Sequence, residues 1–308
     1  MDYITVIKAA RPVNKRFVLQ PDGTVEKSGV ATLYSGVAQS RHVPDAEAMA
    51  RVLEEVTEST HLVIVAGRWR GDDGTPFEIV TKDELTKRLG VSEADLPDGI
   101  VEVGGVRCAA RLQRMVEPSS WILLDADSPK GIPPEWAAMD AARRLELFEQ
   151  LLPGIGAVDR VELRSSSARV RRPGETKRGP SHIWLRVSDP SRIDVLKTHV
   201  ETAQVNAGLS FKSPHHSRWD PTQVVGHTPR GLFDTAVWSQ ERIVFVARPD
   251  VSAGLELDDA DVGIYPANEG LPALDLSRIQ LPDVAARREY RDRTGIALAM
   301  QRTNSGGL

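Results

Sequence analysis

Cysteine is almost absent from this sequence, and its scarcity excludes two common ways of stabilising a fold. The 308 residues contain one cysteine, Cys108. A single thiol cannot form a disulfide within the chain, and it cannot provide the cysteine-rich framework of a structural zinc site. The fold must therefore be held together by a hydrophobic core, which a chain of this length is long enough to bury.

Long hydrophobic runs are missing as well. No stretch approaches the roughly 18 consecutive apolar residues that a transmembrane helix needs, and residues 1–5 lack the basic start and the apolar segment of a signal peptide. Apolar residues make up 41% of the chain and charged residues 27%, a balance that is typical of a folded globular protein rather than a disordered one. Together with the lone cysteine, these absences predict a cytoplasmic protein.

The chain as a whole has no large excess of positive charge. Its formal net charge is −4, which argues against a protein that coats nucleic acid with its entire surface. Positive charge is concentrated locally instead, because the segment between Arg160 and Arg186 holds six further basic residues and only two acidic ones, Glu162 and Glu175. A second, smaller basic cluster comprises Lys8, Arg11, Lys15 and Arg16. A charge run of this kind is usually a solvated loop, so its meaning depends on the motifs around it.

The spacing of apolar residues predicts an α/β fold. Short strands are expected over residues 1–40, with a hairpin turn at Pro21-Asp22-Gly23, followed by helices after Asp45 and over residues 82–89. Beyond these, the predicted elements are strands at 121–124, 161–167, 181–187 and 243–247 and helices at 133–152 and 191–207. The order strand, helix, strand, strand, helix, strand is typical of a split βαβ unit of the RRM-like kind, with antiparallel pairing in the middle.

This order also predicts how the chain is divided. We expect an RRM-like core with a mixed or antiparallel sheet at residues 111–250, preceded by a smaller N-terminal α/β unit at residues 1–110 that packs against it. Residues 251–308 are expected to form a C-terminal extension that is partly helical. Within that extension, Asp258 to Asp261 are expected to form a solvated acidic turn, and residues 283–300 a charged helix.

An acidic pair at the end of an apolar strand is the first feature with chemical meaning. Trp121 to Leu124 run directly into Asp125-Ala126-Asp127, and residues two apart in a strand project from the same face. Asp125 and Asp127 would therefore lie together where a cation can reach both, and carboxylate oxygens suit Mg²⁺ or Mn²⁺. Taken alone, an apolar strand followed by Asp-x-Asp is equally typical of a turn or a helix cap.

A histidine beside the basic segment is the second feature. His182 follows Ser181 and begins an apolar strand, at the point where the arginine-rich segment ends. A lone histidine is more often structural than functional. Here, however, the turn also holds Ser165, Ser166 and Ser167, and hydroxyl, guanidinium and imidazole groups around one turn favour a site for the triphosphate of a nucleotide.

A third carboxylate, Asp234, follows Gly231-Leu232-Phe233. Singly it is unremarkable, and Asp220 is a rival. The three features nevertheless form a spaced set, with two carboxylates on one strand, a histidine after the next hairpin and a carboxylate beyond the following helix. Phosphoryl-transfer sites with two metal ions need such a further carboxylate.

The spaced set resembles the archaeo-eukaryotic primase superfamily, the primases and primase-polymerases whose catalytic module is RRM-like. The family's first motif, an apolar strand that ends in Asp-x-Asp, matches Trp121 to Asp127. Its second, a Ser-x-His-like element that opens an apolar strand, matches Ser181 to Trp184, although Pro180 stands where the leading serine is expected. Its third, an apolar residue followed by Asp, matches Phe233-Asp234. The likeness covers roughly residues 100–250 and is nearest to the replicative primases of plasmids and other mobile elements.

The resemblance implies a DNA-templated nucleotidyltransferase, a primase or primase-polymerase. Such an enzyme makes short strands on single-stranded DNA from nucleoside triphosphates, uses Mg²⁺ or Mn²⁺, and has a replicative helicase as its expected partner. It implies that Asp125, Asp127 and Asp234 are catalytic metal ligands and that His182 contacts the phosphates of the incoming nucleotide. The residues expected to bind the nucleotide beside His182 are Ser165, Ser166, Ser167, Ser181, Arg172, Lys177 and Arg178. The residues expected to bind the template are Arg164, Lys212, Arg218 and Arg230.

Three other functions stay open at this point. A metal-dependent glycosyltransferase also ends an apolar strand in Asp-x-Asp, but it would leave the basic hairpin without a role. An HUH-type replication initiator needs two histidines that flank one apolar residue and a nucleophilic tyrosine; His215 and His216 are adjacent, although Tyr290 lies in a predicted helix. A non-catalytic RRM-like DNA-binding module needs aromatic residues for stacking. Only 5% of residues are aromatic, with Trp184 and Trp219 as the candidates.

Overall fold

The computed structural model describes residues 2–29, 32–125, 133–137, 139, 141–177, 179, 182–216, 219–220, 222–266 and 271–296. Over these residues the protein is a mixed α/β structure, as the sequence predicts. Four residues that the sequence assigns to the site lie outside the described residues: Asp127, Arg178, Ser181 and Arg218. None of the helices described is both long and apolar enough to cross a membrane.

The N-terminal part of the chain alternates short strands with two helices. In chain order its elements are β1 (Tyr3–Ala9), β2 (Lys15–Leu19), β3 (Val25–Gly29), β4 (Gly36–His42), α1 (Ala46–Glu58), β5 (Leu62–Val65), β6 (Gly67–Trp69), β7 (Phe77–Val80), α2 (Lys82–Leu89), β8 (Val101–Val103), β9 (Val106–Ala110) and β10 (Val116–Pro118). Both predicted helices and the hairpin turn between β2 and β3 are confirmed. Helix α1 begins where the carboxylate of Asp45 accepts a hydrogen bond from the amide of Ala48, the usual role of an aspartate at a helix N-cap.

The remaining elements follow the order that the sequence predicts as far as α5. They are β11 (Trp121–Asp125), α3 (Pro134–Ala137), α4 (Ala141–Leu151), β12 (Arg160–Leu163), β13 (Val170–Arg171), β14 (His182–Arg186), α5 (Ile193–Asn206), β15 (Ser210–His216), β16 (Val224–Gly231), β17 (Ile243–Val244), β18 (Asp250–Val251), β19 (Glu256–Leu257), β20 (Gly263–Tyr265) and α6 (Val284–Thr294). The strand predicted for residues 161–167 ends at Leu163. The chain turns there, because the carbonyl of Ser165 accepts hydrogen bonds from the amides of Ala168 and Arg169.

Two principal sheets organise the described residues. One has seven strands in the order β17-β5-β1-β4-β7-β9-β8, and the other has four in the order β11-β14-β12-β20. In the four-stranded sheet the pairs are antiparallel, and β14 lies between β11 and β12. The C-terminal ends of β11 and β12 and the N-terminal start of β14 therefore lie at the same end of the sheet. Asp125 pairs with His182 there, and His182 pairs with Leu163.

The prediction that the strand at residues 243–247 belongs to the core sheet is wrong. Ile243 and Val244 pair with β5 in the seven-stranded sheet, while β20 takes the edge beside β12. The outer edge of β11 is covered by a loop instead. The amide of Asp234 donates to the carbonyl of Asp125 at 3.1 Å, and the indole of Trp238 donates to the carbonyl of Leu123 at 2.7 Å. These bonds satisfy edge groups of β11 that a neighbouring strand would otherwise pair.

The larger hydrophobic core joins the N-terminal helix α1 to the four-stranded sheet. Leu53 of α1, Leu123 of β11, Phe148 of α4, Trp184 of β14 and Leu196 of α5 are all buried in one continuous cluster. Fully burying an apolar side chain of this size contributes about 1.5–3 kcal/mol. The rigid positions of β11 and β14 therefore depend on helices from both parts of the chain. The division of the chain into three parts near residues 110 and 250 stays a prediction.

Candidate functional site

Asp125 and His182 face each other at the end of the four-stranded sheet. They are cross-strand partners, so their side chains lie on the same face, and His182 Nε2 is 3.4 Å from Asp125 Oδ1. The histidine side chain is 7% exposed and the aspartate side chain 18% exposed. His182 Nδ1 is buried and has no hydrogen-bond partner among the described residues.

The charge state of Asp125 follows from the cations around it. Burial raises its pKa, but the charge and hydrogen bond of His182, followed by the charges of Lys15 and Arg144, outweigh that effect. The pKa of Asp125 therefore lies below its ordinary value of 3.8. At neutral pH the side chain is a carboxylate, the form that binds a metal ion.

Two of these cations were not assigned to the site from the sequence. Lys15 begins β2 in the N-terminal part, and its membership of the small basic cluster near the N-terminus was the one available signal. Arg144 lies in α4, where it is 9% exposed and donates from Nη2 to the carbonyl of Trp136 at 3.4 Å. Nothing in the local sequence distinguishes it from other arginines of an amphipathic helix. Tertiary packing alone brings both residues near Asp125.

Asp234 reaches the same end of the sheet. Its backbone amide bonds to the carbonyl of Asp125, so the two residues are neighbours although 109 positions separate them in sequence. Its Oδ1 accepts a hydrogen bond from the amide of Ala236 at 2.9 Å, and its Oδ2 is 3.7 Å from the guanidinium of Arg230. The structure thus brings together Asp125, His182 and Asp234, the described members of the three predicted motifs.

The segment that carries Asp234 is fixed by a buried glutamine that the sequence analysis missed. Gln204 of α5 is 2% exposed, and its Oε1 accepts from the amide of Phe233 at 2.8 Å while its Nε2 donates to the carbonyl of Phe233 at 3.4 Å. A Cβ atom on Gly231 would lie 2.4 Å from Gln204 Oε1, so only glycine permits this approach. The hydroxyl of Thr235 donates to Glu201 at 2.7 Å. Three side-chain groups on two residues of α5 therefore position the third motif.

The donor chemistry around Asp125 and Asp234 fits a hard divalent cation. Mg²⁺ commonly binds one or two carboxylates and completes its coordination with water and substrate phosphates. Among the described residues no group of three or more histidine, cysteine, aspartate or glutamate side chains lies close enough to hold an ion by itself. The predicted third ligand, Asp127, lies outside those residues. Asp125 and Asp234 are the described carboxylates of the predicted set, and a backbone hydrogen bond joins the two residues.

The turn with Ser165, Ser166 and Ser167 follows Leu163 and lies at the same end of the sheet. Ser166 is 2% exposed and its hydroxyl donates to the carbonyl of Phe245 at 3.2 Å, whereas Ser165 and Ser167 are half-buried. Ser166 therefore has a structural bond, and the other two hydroxyls lie nearer to solvent.

Much of the arginine-rich segment is neutralised by the C-terminal extension. Arg164 is 11% exposed and pairs with Asp261 at 2.9 Å. Arg169 is 2% exposed and donates to the carbonyl of Asp258, whose carboxylate accepts from Arg171 at 3.1 Å. Arg172 and Lys177 are about half exposed, at 48% and 56%. These two are the described nucleotide-binding candidates of the segment that face solvent.

The expectation of a solvated acidic turn at residues 258–261 is wrong for Asp258, which is 6% exposed. Because β13 pairs with β19, Asp258, which follows β19, lies against Arg169 and Arg171 of the basic segment. A carboxylate in such a position is buried because guanidinium groups compensate its loss of hydration.

The described template-binding candidates lie on two sides of the site. Lys212 and Arg230 belong to the hairpin β15–β16, where Lys212 is exposed and Arg230 is 45% exposed. Arg164 lies on the other side in its ion pair with Asp261. Of the two tryptophans considered for stacking, Trp184 is fully buried and cannot contact a base, while Trp219 is 89% exposed beyond the end of β15.

Comparisons of this chain with protein-family models, with curated proteins and with solved structures find no match. The proposed function therefore depends on the geometry of the site.

Proposed function

We propose that this protein is a DNA-templated nucleotidyltransferase, a primase or primase-polymerase that makes short strands on single-stranded DNA. The proposal rests on the contacts at one end of the four-stranded sheet, where Asp125 is within 3.4 Å of His182 and its carbonyl accepts from the amide of Asp234. These residues come from three separate motifs, and their order and spacing resemble those of the archaeo-eukaryotic primase superfamily. A replicative helicase is the proposed partner.

The topology around the site supports an RRM-like core. Strand β14 lies between β11 and β12, helix α4 connects β11 to β12, and helix α5 follows β14, as in a split βαβ unit. The departure is at the outer edge of β11, where the loop with Asp234 replaces the fourth strand. That replacement supports the proposal, because it brings the backbone of Asp234 to the end of β11.

In the proposed reaction, the 3′-hydroxyl of one nucleotide loses its proton to solvent, its oxygen bonds to the α-phosphorus of the next nucleotide, and the bond from that phosphorus to pyrophosphate breaks. Asp125 and Asp234 would hold the divalent cation, which neutralises phosphate charge when bound. His182 fixes the orientation of the Asp125 carboxylate, as partners of metal ligands generally do. Arg172 and Lys177, which are about half exposed, would contact phosphates. Catalysis by such a site depends on positioning and charge rather than on a covalent nucleophile.

Primer synthesis by the purified chain tests the proposal. The assay supplies single-stranded DNA, Mg²⁺ or Mn²⁺, and mixtures of ribo- and deoxynucleoside triphosphates. We expect metal-dependent short products from the wild type and a loss of about 100-fold or more in Asp125→Asn, which keeps the shape of the side chain but removes its charge. Absence of product from the wild type with every mixture would contradict the proposed function.

A matched control exists at the opposite end of β14. Asp2 pairs there with Arg186 at 2.6 Å, as Asp125 pairs with His182 at the near end. Asp2→Asn removes a carboxylate that pairs with the other end of β14 and leaves the site untouched, so it should retain primer synthesis. Equal activity of Asp125→Asn and wild type would defeat the assignment of the site, even if the wild type were active.

The structure also bears on the rival functions. Tyr290, the nucleophile that an HUH-type initiator would need, is 7% exposed, and burial together with Glu201 raises its pKa. An activated nucleophile requires the opposite shift. A glycosyltransferase would be indicated instead if nucleotide sugars with Mn²⁺ stabilised the protein against heat and nucleoside triphosphates did not.

A further inference from the structure

Lys15 lies on the inner face of strand β2, in the N-terminal part of the chain. Residues two apart on a strand project from the same face, so Lys15 and Phe17 share one face of β2 while Arg16 projects from the other. The burial of the three side chains agrees, because Phe17 is buried, Lys15 is half-buried and Arg16 is exposed. The side chain of Lys15 is therefore directed toward the element on which β2 packs.

Strand β2 packs on strand β13 of the basic segment. Phe17 belongs to one small buried cluster with Val170 of β13 and Leu255. Farther along both strands, the guanidinium of Arg172 donates to the carbonyl of Gly23, in the turn that joins β2 to β3. The two strands therefore run in the same direction, and the residues that precede Val170 lie toward the start of β2.

Lys15 is consequently placed between the turn of residues 165–167 and the carboxylate of Asp125. Its charge acts on Asp125, as does the charge of Arg144. Two such cations weaken the attraction of Asp125 for a bare divalent cation, but they attract the complex of that cation with a triphosphate, because the complex carries net negative charge. Arg144 is 9% exposed, whereas Lys15 is half-buried and can reach a ligand.

We infer that Lys15 contacts the triphosphate of the incoming nucleotide, so that the N-terminal part of the chain forms a wall of the nucleotide site. The inference rests on the proposed function, because that nucleotide is the substrate of the proposed reaction. Lysine binds phosphate as a point charge on a flexible stem, so the contact needs proximity rather than a fixed fork geometry. The position of the Lys15 backbone is set by its pairing with Gly29 in the hairpin β2–β3.

Isothermal titration of the full chain with dATP and Mg²⁺, without DNA, tests the contact independently of catalysis. Lys15→Met should weaken dATP binding by about tenfold or more, as expected for the loss of a hydrogen bond between charged groups. Lys15→Arg keeps the charge and should bind dATP within about threefold of the wild type.

The neighbouring residue provides the matched control. Arg16→Met removes a cation of the same basic cluster from the opposite face of β2. Arg16 pairs with Asp250 at 3.4 Å, and both side chains are more than half exposed, so the loss of this pair should cost little stability. Arg16→Met should therefore bind dATP as the wild type does.

Chemical labelling of the wild type tests the contact without any variant. Acetylation of lysines by an N-hydroxysuccinimide ester, followed by peptide mass spectrometry, should be slower at Lys15 when dATP and Mg²⁺ are present. Lys27 is exposed on the outer strand β3 and should react equally with and without the nucleotide.

Two outcomes would overturn the inference. One is a dATP affinity of Lys15→Met that equals the affinity of the wild type or of Arg16→Met. The other is acetylation of Lys15 at the same rate with and without dATP. Failure of the proposed function is distinguishable, because the wild type would then make no primer although dATP still protects Lys15 and Lys15→Met still loses affinity for dATP.

Discussion

Asp125 is a partly buried carboxylate that lies beside basic side chains from three separate elements. His182 begins β14, Lys15 begins β2, and Arg144 lies in α4. The sequence assigned Asp125 and His182 to one site, as a metal ligand and a nucleotide contact, but it did not predict their contact with each other. It did not predict Lys15 or Arg144, since their proximity results from the packing of distant elements and leaves no periodic or local signal.

The lowered pKa of Asp125 predicts a pH dependence of stability. A carboxylate with a native pKa below its ordinary value of 3.8 stabilises the fold above that pH, and the contribution is lost as pH falls through the native pKa. Urea unfolding should therefore give the wild type an advantage over Asp125→Asn of about 1 kcal/mol at pH 7. The advantage should shrink below pH 3.8. A difference that stays constant over this range would show that the charge of Asp125 does not stabilise the fold.

At the scale of elements, the sequence predicted those whose pattern is local. Helices α1 and α2 follow from apolar spacing and from capping residues at their starts, Asp45 and Thr81. Strand β11 follows from four consecutive apolar residues before Asp125. The destination of Ile243–Val244 was not predictable, because two buried apolar residues can pair at the edge of either sheet. Which edge accepts them depends on the loop with Asp234 that already covers β11.

The loop with Asp234 depends on close approach between Gly231 and Gln204. Gly231→Ala would place a methyl group 2.4 Å from Gln204 Oε1 and displace the bonds to Phe233. We expect a loss of about 1–3 kcal/mol in the free energy of unfolding, together with loss of primer synthesis. Chemical unfolding and the primer assay measure the two effects.

The same strand provides the control for this substitution. A Cβ atom on Gly226 of β16 meets nothing within 4 Å, so Gly226→Ala should change neither stability nor activity appreciably. If Gly231→Ala were as stable and active as Gly226→Ala, the close packing against Gln204 would have no role in holding Asp234.

At the scale of the whole molecule, the four-stranded sheet is completed by residues from outside the predicted core. Strand β20 of the C-terminal extension pairs with β12, and helix α1 of the N-terminal part packs on both strands. The buried pairing of Arg169 and Arg171 with Asp258 fastens the extension to the basic segment. The predicted boundaries followed the order of the predicted elements, which carries no signal for long-range pairing of this kind.

This arrangement predicts the behaviour of fragments. A fragment of residues 111–250 lacks α1 and β20, which leaves apolar surface of the sheet exposed, so it should fail to unfold cooperatively. A fragment of residues 1–296 retains both elements and should unfold cooperatively in urea. Cooperative unfolding of the shorter fragment, followed by circular dichroism, would instead establish residues 111–250 as an independent domain.

We propose that Asp234 completes a catalytic site with Asp125. Two variants, Asp234→Asn and Asp189→Asn, test this proposal most directly. Asp234 and Asp189 play the same local role, since each carboxylate accepts a hydrogen bond from the amide two residues later at the start of a short 3₁₀ helix. Asp189→Asn therefore controls for the loss of a cap. Metal-dependent primer synthesis by Asp234→Asn should fall by about 100-fold or more, while Asp189→Asn keeps the activity of the wild type. Equal activity of the two variants would contradict the claim.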